Sequence, residues 1–284
     1  MDIEDVFITC IEKWAIDEWD ERIDIAVDNF SGWINNFEKE ERNLLIKLLQ
    51  RFNYYSRNGV MKIMRELTQR TVENYGISDE DSVISVVRKK DGKINSSHEY
   101  LILHRNVSGL GKGIYYDSIN EIDEQDWENI RKVVYVDDCC GTGEQFTKFI
   151  KCQNRSFDNK KIILMVIEAV EDAKNYIEKE LAKQGLDVEI VAYTTKEKAL
   201  KDILEKEKKN FFEMSCKQEI NEKYVLGYEK AEALMSFFNN TPNDTLGLFW
   251  FISRKNNPIF PRELGTNPGW KLSNAEKKKR SRER

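Results

Sequence analysis

The residues that could do chemistry are concentrated in one string, Val133-Val134-Tyr135-Val136-Asp137-Asp138-Cys139-Cys140-Gly141-Thr142-Gly143-Glu144-Gln145. Its β-branched apolar run predicts a buried strand over 133–136, and two carboxylates follow at once. Ligands of open α/β sheets bind at the carboxyl ends of the strands, which is where these acids would stand. A loop over 137–143, carrying two glycines, then opens a helix from Glu144 to Lys151. Backbone N–H groups converging at the start of a helix make an anion nest suited to phosphate. Thr142 adds a hydroxyl. Carboxylates would repel a phosphate placed directly against them, so a neutral group that hydrogen-bonds both must lie between. Ribose hydroxyls do this, and the implied ligand is a 5-phosphorylated ribose. The plain alternative is an ordinary strand-to-helix turn in which an aspartate caps the helix.

The string resembles the phosphoribosyl-diphosphate signature of the type I phosphoribosyltransferases: four apolar residues, two acids, three variable residues, then Thr-Gly. The resemblance implies that Asp137 and Asp138 are the ribose-binding and catalytic acids. It places the 5-phosphate on Gly141, Thr142, Gly143, Glu144 and Gln145. Gly141 and Gln145 depart from the Thr that many members carry. The resemblance also implies a diphosphate loop after an earlier strand. Residues 88–97 stand there, with Lys89, Lys90 and Lys93 as diphosphate ligands and Gly92 to turn the backbone; a solvated loop is the alternative. Mg²⁺ is the implied cofactor, a hard cation bridging diphosphate and ribose oxygens beside Asp137 and Asp138.

Further strings extend the resemblance over about residues 30–265. They are Trp33-Ile34-Asn35-Asn36-Phe37, Phe52-Asn53-Tyr54-Tyr55-Ser56, Asn240-Thr241-Pro242-Asn243-Asp244-Thr245-Leu246, Trp250 and Pro258-Ile259-Phe260-Pro261-Arg262. Together they look like the phosphoribosyltransferase-like effector family of bacterial conflict systems, with members beside reverse transcriptases in retron-type anti-phage loci. A defence or toxin role follows from that resemblance, as does a reverse transcriptase with its RNA–DNA product as partner. Read as residues, 240–245 is a polar turn. It either feeds a strand or closes over the sheet edge so that Asn240, Thr241 and Asn243 read a base. Arg262 pairs with a phosphate or with a surface acid.

These residues need a frame. Apolar periodicity predicts helices through residues 3–75, with Trp14, Trp19, Ile23, Val27 and Phe30 on one stripe and Gly59 to Tyr75 as the third helix. Strands are predicted near 82–87, 133–136, 161–167 and 188–193, with a short one within 113–116. Ser96 or Ser97 would cap a helix through about Asn106. Residues 196–224 read as a charged helical insertion and 225–238 as a helix. Strands alternating with helices predict an α/β fold, and with the resemblance a type I phosphoribosyltransferase-like parallel sheet flanked by helices under an N-terminal helical cap. The expected division is a cap over 1–78, a phosphoribosyltransferase-like domain over 79–265 and a disordered basic tail over 266–284.

Composition sets limits. The chain has 284 residues with 40% hydrophobic and 33% charged, enough for a core and with a heavily ionised surface. A formal charge of −5 excludes a chain that is basic throughout and coats nucleic acid, although the tail Lys277 to Arg284 is locally basic. No apolar run reaches the roughly 18–20 residues that cross a bilayer. The acidic start Met1-Asp2-Ile3-Glu4-Asp5 lacks the basic region of a signal peptide, so the expected place is the cytoplasm. Five cysteines and two histidines, without a CxxC, point away from a disulfide frame, a zinc site or a histidine triad. Two functions then compete. One is an enzyme acting at the ribose C1 bond of phosphoribosyl diphosphate or a nucleotide. The other is a catalytically degenerate module that senses a nucleotide, or binds nucleic acid or protein, through the same nest.

Overall fold

A computed structural model describes residues 3–88 and 94–262. The chain begins with α1 (Ile3–Trp14), α2 (Glu21–Ile34), α3 (Lys39–Arg51), β1 (Asn53–Tyr55) and α4 (Arg57–Tyr75). It continues through β2 (Ser82–Val86), α5 (Ser96–Val107), β3 (Tyr115–Tyr116), α6 (Glu124–Asn129), β4 (Lys132–Cys140) and α7 (Glu144–Lys151). Then come β5 (Lys161–Val170), α8 (Glu171–Ala182), β6 (Asp187–Lys196), α9 (Glu205–Lys217) and β7 (Met235–Phe237).

The main sheet has the order β3-β2-β4-β5-β6, and every pairing in it is parallel. Its three central strands, β2, β4 and β5, are largely buried apolar runs, as a sheet covered by helices requires. The chain steps outward from β2 to β3, then returns past β2 to lay down β4. The crevice where the strand order reverses, at the carboxyl ends of β2 and β4, is the ligand-binding place of such sheets. A second, two-stranded sheet pairs β1 with β7, again in parallel.

The apolar residues separate into two cores. The first surrounds the main sheet and takes Val60, Met64 and Leu67 from α4, Tyr100 from α5, Phe146 and Ile150 from α7, and Ile177 and Leu181 from α8. The second joins α1–α3 to the last described segment through Leu246, Leu248, Phe249, Ile259 and Phe260. The Trp14 ring meets both Phe52 and Phe260 edge-on, so the two ends of the fold complete one another.

Four expectations change. Trp19 lies between α1 and α2 and is exposed, as is Val27, so the single stripe breaks in two. Helix α5 is capped by Asn95 rather than by Ser96 or Ser97. Strand β4 does not stop at Val136; pairing with β5 carries it through Cys140, and the two acids belong to the strand. Residues 225–238 are not a helix. They form short turns and β7, because Gly227, Glu229, Lys230 and Glu232 all take positive φ and no α-helix passes through such residues.

Candidate functional site

The site begins where β4 outruns a neighbour. Its ladder with β2 ends at Val86 opposite Val136, while the ladder with β5 runs on to Cys140 opposite Ala169. The last residues of β4 are thus paired on one side and open to the crevice on the other. Ser97 ties the strand ends together just before the acids: its hydroxyl donates to the Val136 carbonyl and accepts the Val87 N–H at 2.8 Å. Asn95 donates to the Val87 carbonyl at 2.8 Å. These bonds set the start of α5 against the crevice.

Ser96 is thereby placed over both acids. Its Oγ is 3.1 Å from Asp137 Oδ1 and 3.3 Å from Asp138 Oδ1. The Asp138 N–H donates to Asp137 Oδ1 at 3.0 Å, and the Cys139 N–H to Asp138 Oδ1 at 2.8 Å. Burial, and then the neighbouring Asp138 charge, push the Asp137 carboxyl well above the usual carboxylate range.

Beyond the strand, the chain turns into α7 through Gly143, whose φ is +76°. A Cβ at Gly143 would lie 2.7 Å from Ile177 Cγ1 and 2.8 Å from the Ala173 carbonyl, so only glycine lets α8 pack against this turn. Thr142 Oγ1 accepts the Glu144 N–H at 3.4 Å. The first-turn N–H groups of α7 have no partner within their own helix and carry the positive end of its dipole.

One cavity of about 1350 Å³ gathers these groups. Asp137, Asp138 and residues 141–145 line it, together with Ser96, Asn240, Asn243, Asp244 and Arg262. Thr241 does not line it. That residue is fully buried, and its hydroxyl is engaged with Arg22 at 2.7 Å, Ser236 at 2.8 Å and the Phe260 carbonyl at 2.9 Å. Glu144 reaches the cavity but pairs with Lys148 one turn on. Arg262 donates to the Thr241 carbonyl at 3.0 Å and lies over the Trp250 ring, so its sequence-level choice of partner resolves to a carbonyl and an indole. Lys89, Lys90 and Lys93, and the basic tail, lie outside the described residues.

Two contributors were not legible as functional. Ser96 read only as a helix cap at the end of the 88–97 loop, with no role beside the acids. Asp244 read as part of a turn, yet its carboxylate sits against Gly141: Oδ2 is 2.4 Å from the point a Gly141 Cβ would occupy. Burial, and then the Asp138 charge, raise Asp244 to about 7 against the pull of Arg262. Cys139 and Cys140 carry thiols that burial raises well above their ordinary value, which suits packing and not nucleophilic chemistry.

The donor set suits Mg²⁺ in one respect. Asp137 and Asp138 each receive their hydrogen bonds on Oδ1, which leaves their other oxygens for a cation. Among the described residues no group of three or more His, Cys, Asp or Glu side chains could hold a metal. Mg²⁺ commonly takes only one or two carboxylates and completes its shell with substrate phosphates and water, and this pair meets that need.

The PRTase-CE family model matches residues 30–262 of the chain, well over half its length. Two solved structures are similar to it. One is the xanthine-guanine-hypoxanthine phosphoribosyltransferase of Helicobacter pylori, at TM-score 0.33 and 13% identity over 49% of this chain and 83% of that one. The other is the orotate phosphoribosyltransferase of Mycobacterium tuberculosis, at TM-score 0.27 and 14% identity over 48% of this chain and 72% of that one. A comparison with curated proteins finds no match.

Proposed function

Since the chain belongs to the PRTase-CE family, we propose that its cavity binds phosphoribosyl diphosphate or a nucleotide and acts at the ribose C1 bond. The observation that carries this reading is the Ser96-bridged pair Asp137 and Asp138, lining one cavity with the 141–145 turn at the strand-order switch. In this reading the turn and the start of α7 hold the 5-phosphate, and the paired acids hold the ribose hydroxyls. Breaking the C1 bond leaves positive charge on the sugar, and carboxylates fixed a few ångströms away stabilise it. Mg²⁺, when bound, would neutralise charge on the departing diphosphate. Asn240 and Asn243 in the cavity lining present amides suited to a base, and Lys89, Lys90 and Lys93 are the proposed diphosphate ligands.

The biological setting belongs to the same proposal. The resemblance over residues 30–265 supports a cytoplasmic effector of a bacterial anti-phage system, acting beside a reverse transcriptase and its RNA–DNA product. No helix among the described residues is long and apolar enough to cross a membrane.

The test is direct. The protein is incubated with phosphoribosyl diphosphate, or with mixed nucleotides, and Mg²⁺, and released diphosphate and free base are measured. Product that disappears in the Asp137→Asn, Asp138→Asn double variant supports the enzyme. Saturable binding without product assigns the cavity to a sensor. No binding overturns both.

A further inference from the structure

Asp244 introduces a problem that the phosphoribosyl reading does not solve. The nest it touches is supposed to seat a phosphate, yet a carboxylate already stands at its rim. Its place is fixed from two sides. A Cβ at Gly141 would fall 2.4 Å from Asp244 Oδ2, and a Cβ at Gly227 would fall 2.0 Å from the Asp244 carbonyl. Two glycines thus admit this one residue. Its carbonyl accepts the Ala233 N–H at 3.1 Å, and the adjacent Asn243 carbonyl accepts the Tyr228 N–H at 2.7 Å. Among the described residues no hydrogen bond neutralises its carboxylate, and Arg262 acts on it only through space.

At pH 8, above the value of about 7 to which its surroundings raise it, the Asp244 carboxyl is ionised and discriminates by charge. A free 5-phosphate monoester carries close to two charges near neutral pH, since its second ionisation lies near about 6. A phosphate esterified to a further group carries one. Coulomb repulsion from Asp244 therefore counts about twice as heavily against the monoester. The cavity also has room beyond the nest: its 1350 Å³ exceeds the usual range of about 300–1,000 Å³ for small-ligand sites. Lys223, Tyr224 and Tyr228 line it, with Lys223 Nζ 4.7 Å from the Tyr228 ring centroid. Two tyrosine hydroxyl-bearing side chains and a cation add polar groups suited to a second nucleotide unit.

We propose that Asp244 is a specificity determinant that makes the cavity select a phosphoribosyl unit whose 5-phosphate is a diester, as in a dinucleotide, over a free 5-phosphate monoester. The proposal rests on the phosphoribosyl reading and narrows its ligand class. Gly141 then has a reason to be glycine: any side chain there would displace the discriminating carboxylate.

The experiment compares ribose 5-phosphate with its 5-(methyl phosphate) diester, each titrated at pH 8 with Mg²⁺ by calorimetry into the whole protein. The Asp244→Asn and Asp244→Ser variants are titrated in parallel, each checked by a thermal melt. The wild type is expected to prefer the diester on the order of tenfold. Both variants should lose that preference, chiefly through tighter binding of the monoester. A wild type that prefers the monoester, or a diester preference that survives in both variants, overturns the inference and leaves the phosphoribosyl reading intact. Absence of binding by either compound to any of the three proteins overturns that reading and the inference with it.

Discussion

The two ends of the main sheet handle charge in opposite ways. At the amino end, Arg131, Lys132, Lys160 and Lys161 surround a smaller cavity of about 610 Å³. Every one of these cations is matched. Lys132 reaches the Gly76 carbonyl at 3.0 Å and Asp81 at 2.7 Å, and Lys161 reaches Asp187 at 2.9 Å and Glu189 at 3.1 Å. Lys160 donates to the Trp127 and Ile130 carbonyls at 2.7 Å each, and Arg131 to the Glu128 carbonyl at 2.7 Å. At the carboxyl end, two acids share one serine hydroxyl and a third has no hydrogen-bond partner among the described residues. Charges satisfied from within serve architecture. Like charges held together without an ion pair among the described residues are tolerated where a ligand completes the set. The contrast therefore separates the end that supports the fold from the end proposed to bind.

The largest expected effect breaks the carboxyl end. If Asp137 and Asp138 hold ribose hydroxyls, each accepts charge-assisted bonds of about 1.5–3 kcal/mol. Replacing both with Asn should lower phosphoribosyl-ligand affinity at least by an order of magnitude. The fold should be kept, because two repelling carboxylates are removed. Calorimetric titration beside a thermal melt reads both. A melting temperature that drops while affinity persists would show that the acids serve the end of β4 and not the ligand.

Next comes a group satisfied from within and remote from the acids. His104 is fully buried, with Nε2 2.9 Å from Thr68 Oγ1 and Nδ1 2.9 Å from the Tyr115 hydroxyl. Burial lowers it from 6.5 to about 4. The unfolded chain then binds a proton between those values that the folded chain does not, so stability falls as the pH drops from 6.5 towards 4. The full difference amounts to about 3 kcal/mol. Chemical denaturation at pH 7.5 and pH 4.5 should show this loss, and His104→Gln should flatten it. An unchanged slope in that variant would place the sensitivity on other groups.

A smaller loss is expected at the amino end. Lys160→Met keeps an unbranched apolar chain but removes the ammonium from over the Trp127 ring and strands two carbonyls, at a cost of about 2 kcal/mol. Ligand affinity should not move. A fall in affinity without a fall in stability would erase the contrast between the ends.

What the sequence disclosed follows the same division. The β4 run and the glycine turn after it were legible because both are local: a β-branched stretch, two acids and a helix start adjoin in the chain. The parallel α/β class followed from the alternation of such runs. The approach of Asp244 to Gly141 was not legible, since it depends on where two distant segments meet. Residues 225–238 misled for a physical reason. Ala231, Leu234, Met235 and Phe238 repeat with helical spacing, yet Ala231, Leu234 and Met235 are buried because β7 joins β1 between the two cores. The positive φ values at Glu229, Lys230 and Glu232 fall on residues that give no such signal in a sequence. Thr241 misled in another way, because a hydroxyl in a polar turn looks available until its three partners are seen.

The smallest effect tests whether the acids are positioned or merely present. Ser96 Oγ lies within reach of both Oδ1 atoms, and its single proton serves one at a time. Removing the hydroxyl leaves both carboxylates in place but takes away the one side-chain bond that holds their Oδ1 atoms. Ser96→Ala should therefore weaken phosphoribosyl-ligand binding severalfold, near the value of one hydrogen bond, about 1 kcal/mol. Stability should hardly change, because Asn95 and not Ser96 caps α5. Ser96→Thr, which keeps the hydroxyl, should restore most of the affinity. If Ala and Thr behave alike, the serine only fills space, and the acids owe their geometry to the Asp138 and Cys139 N–H groups alone.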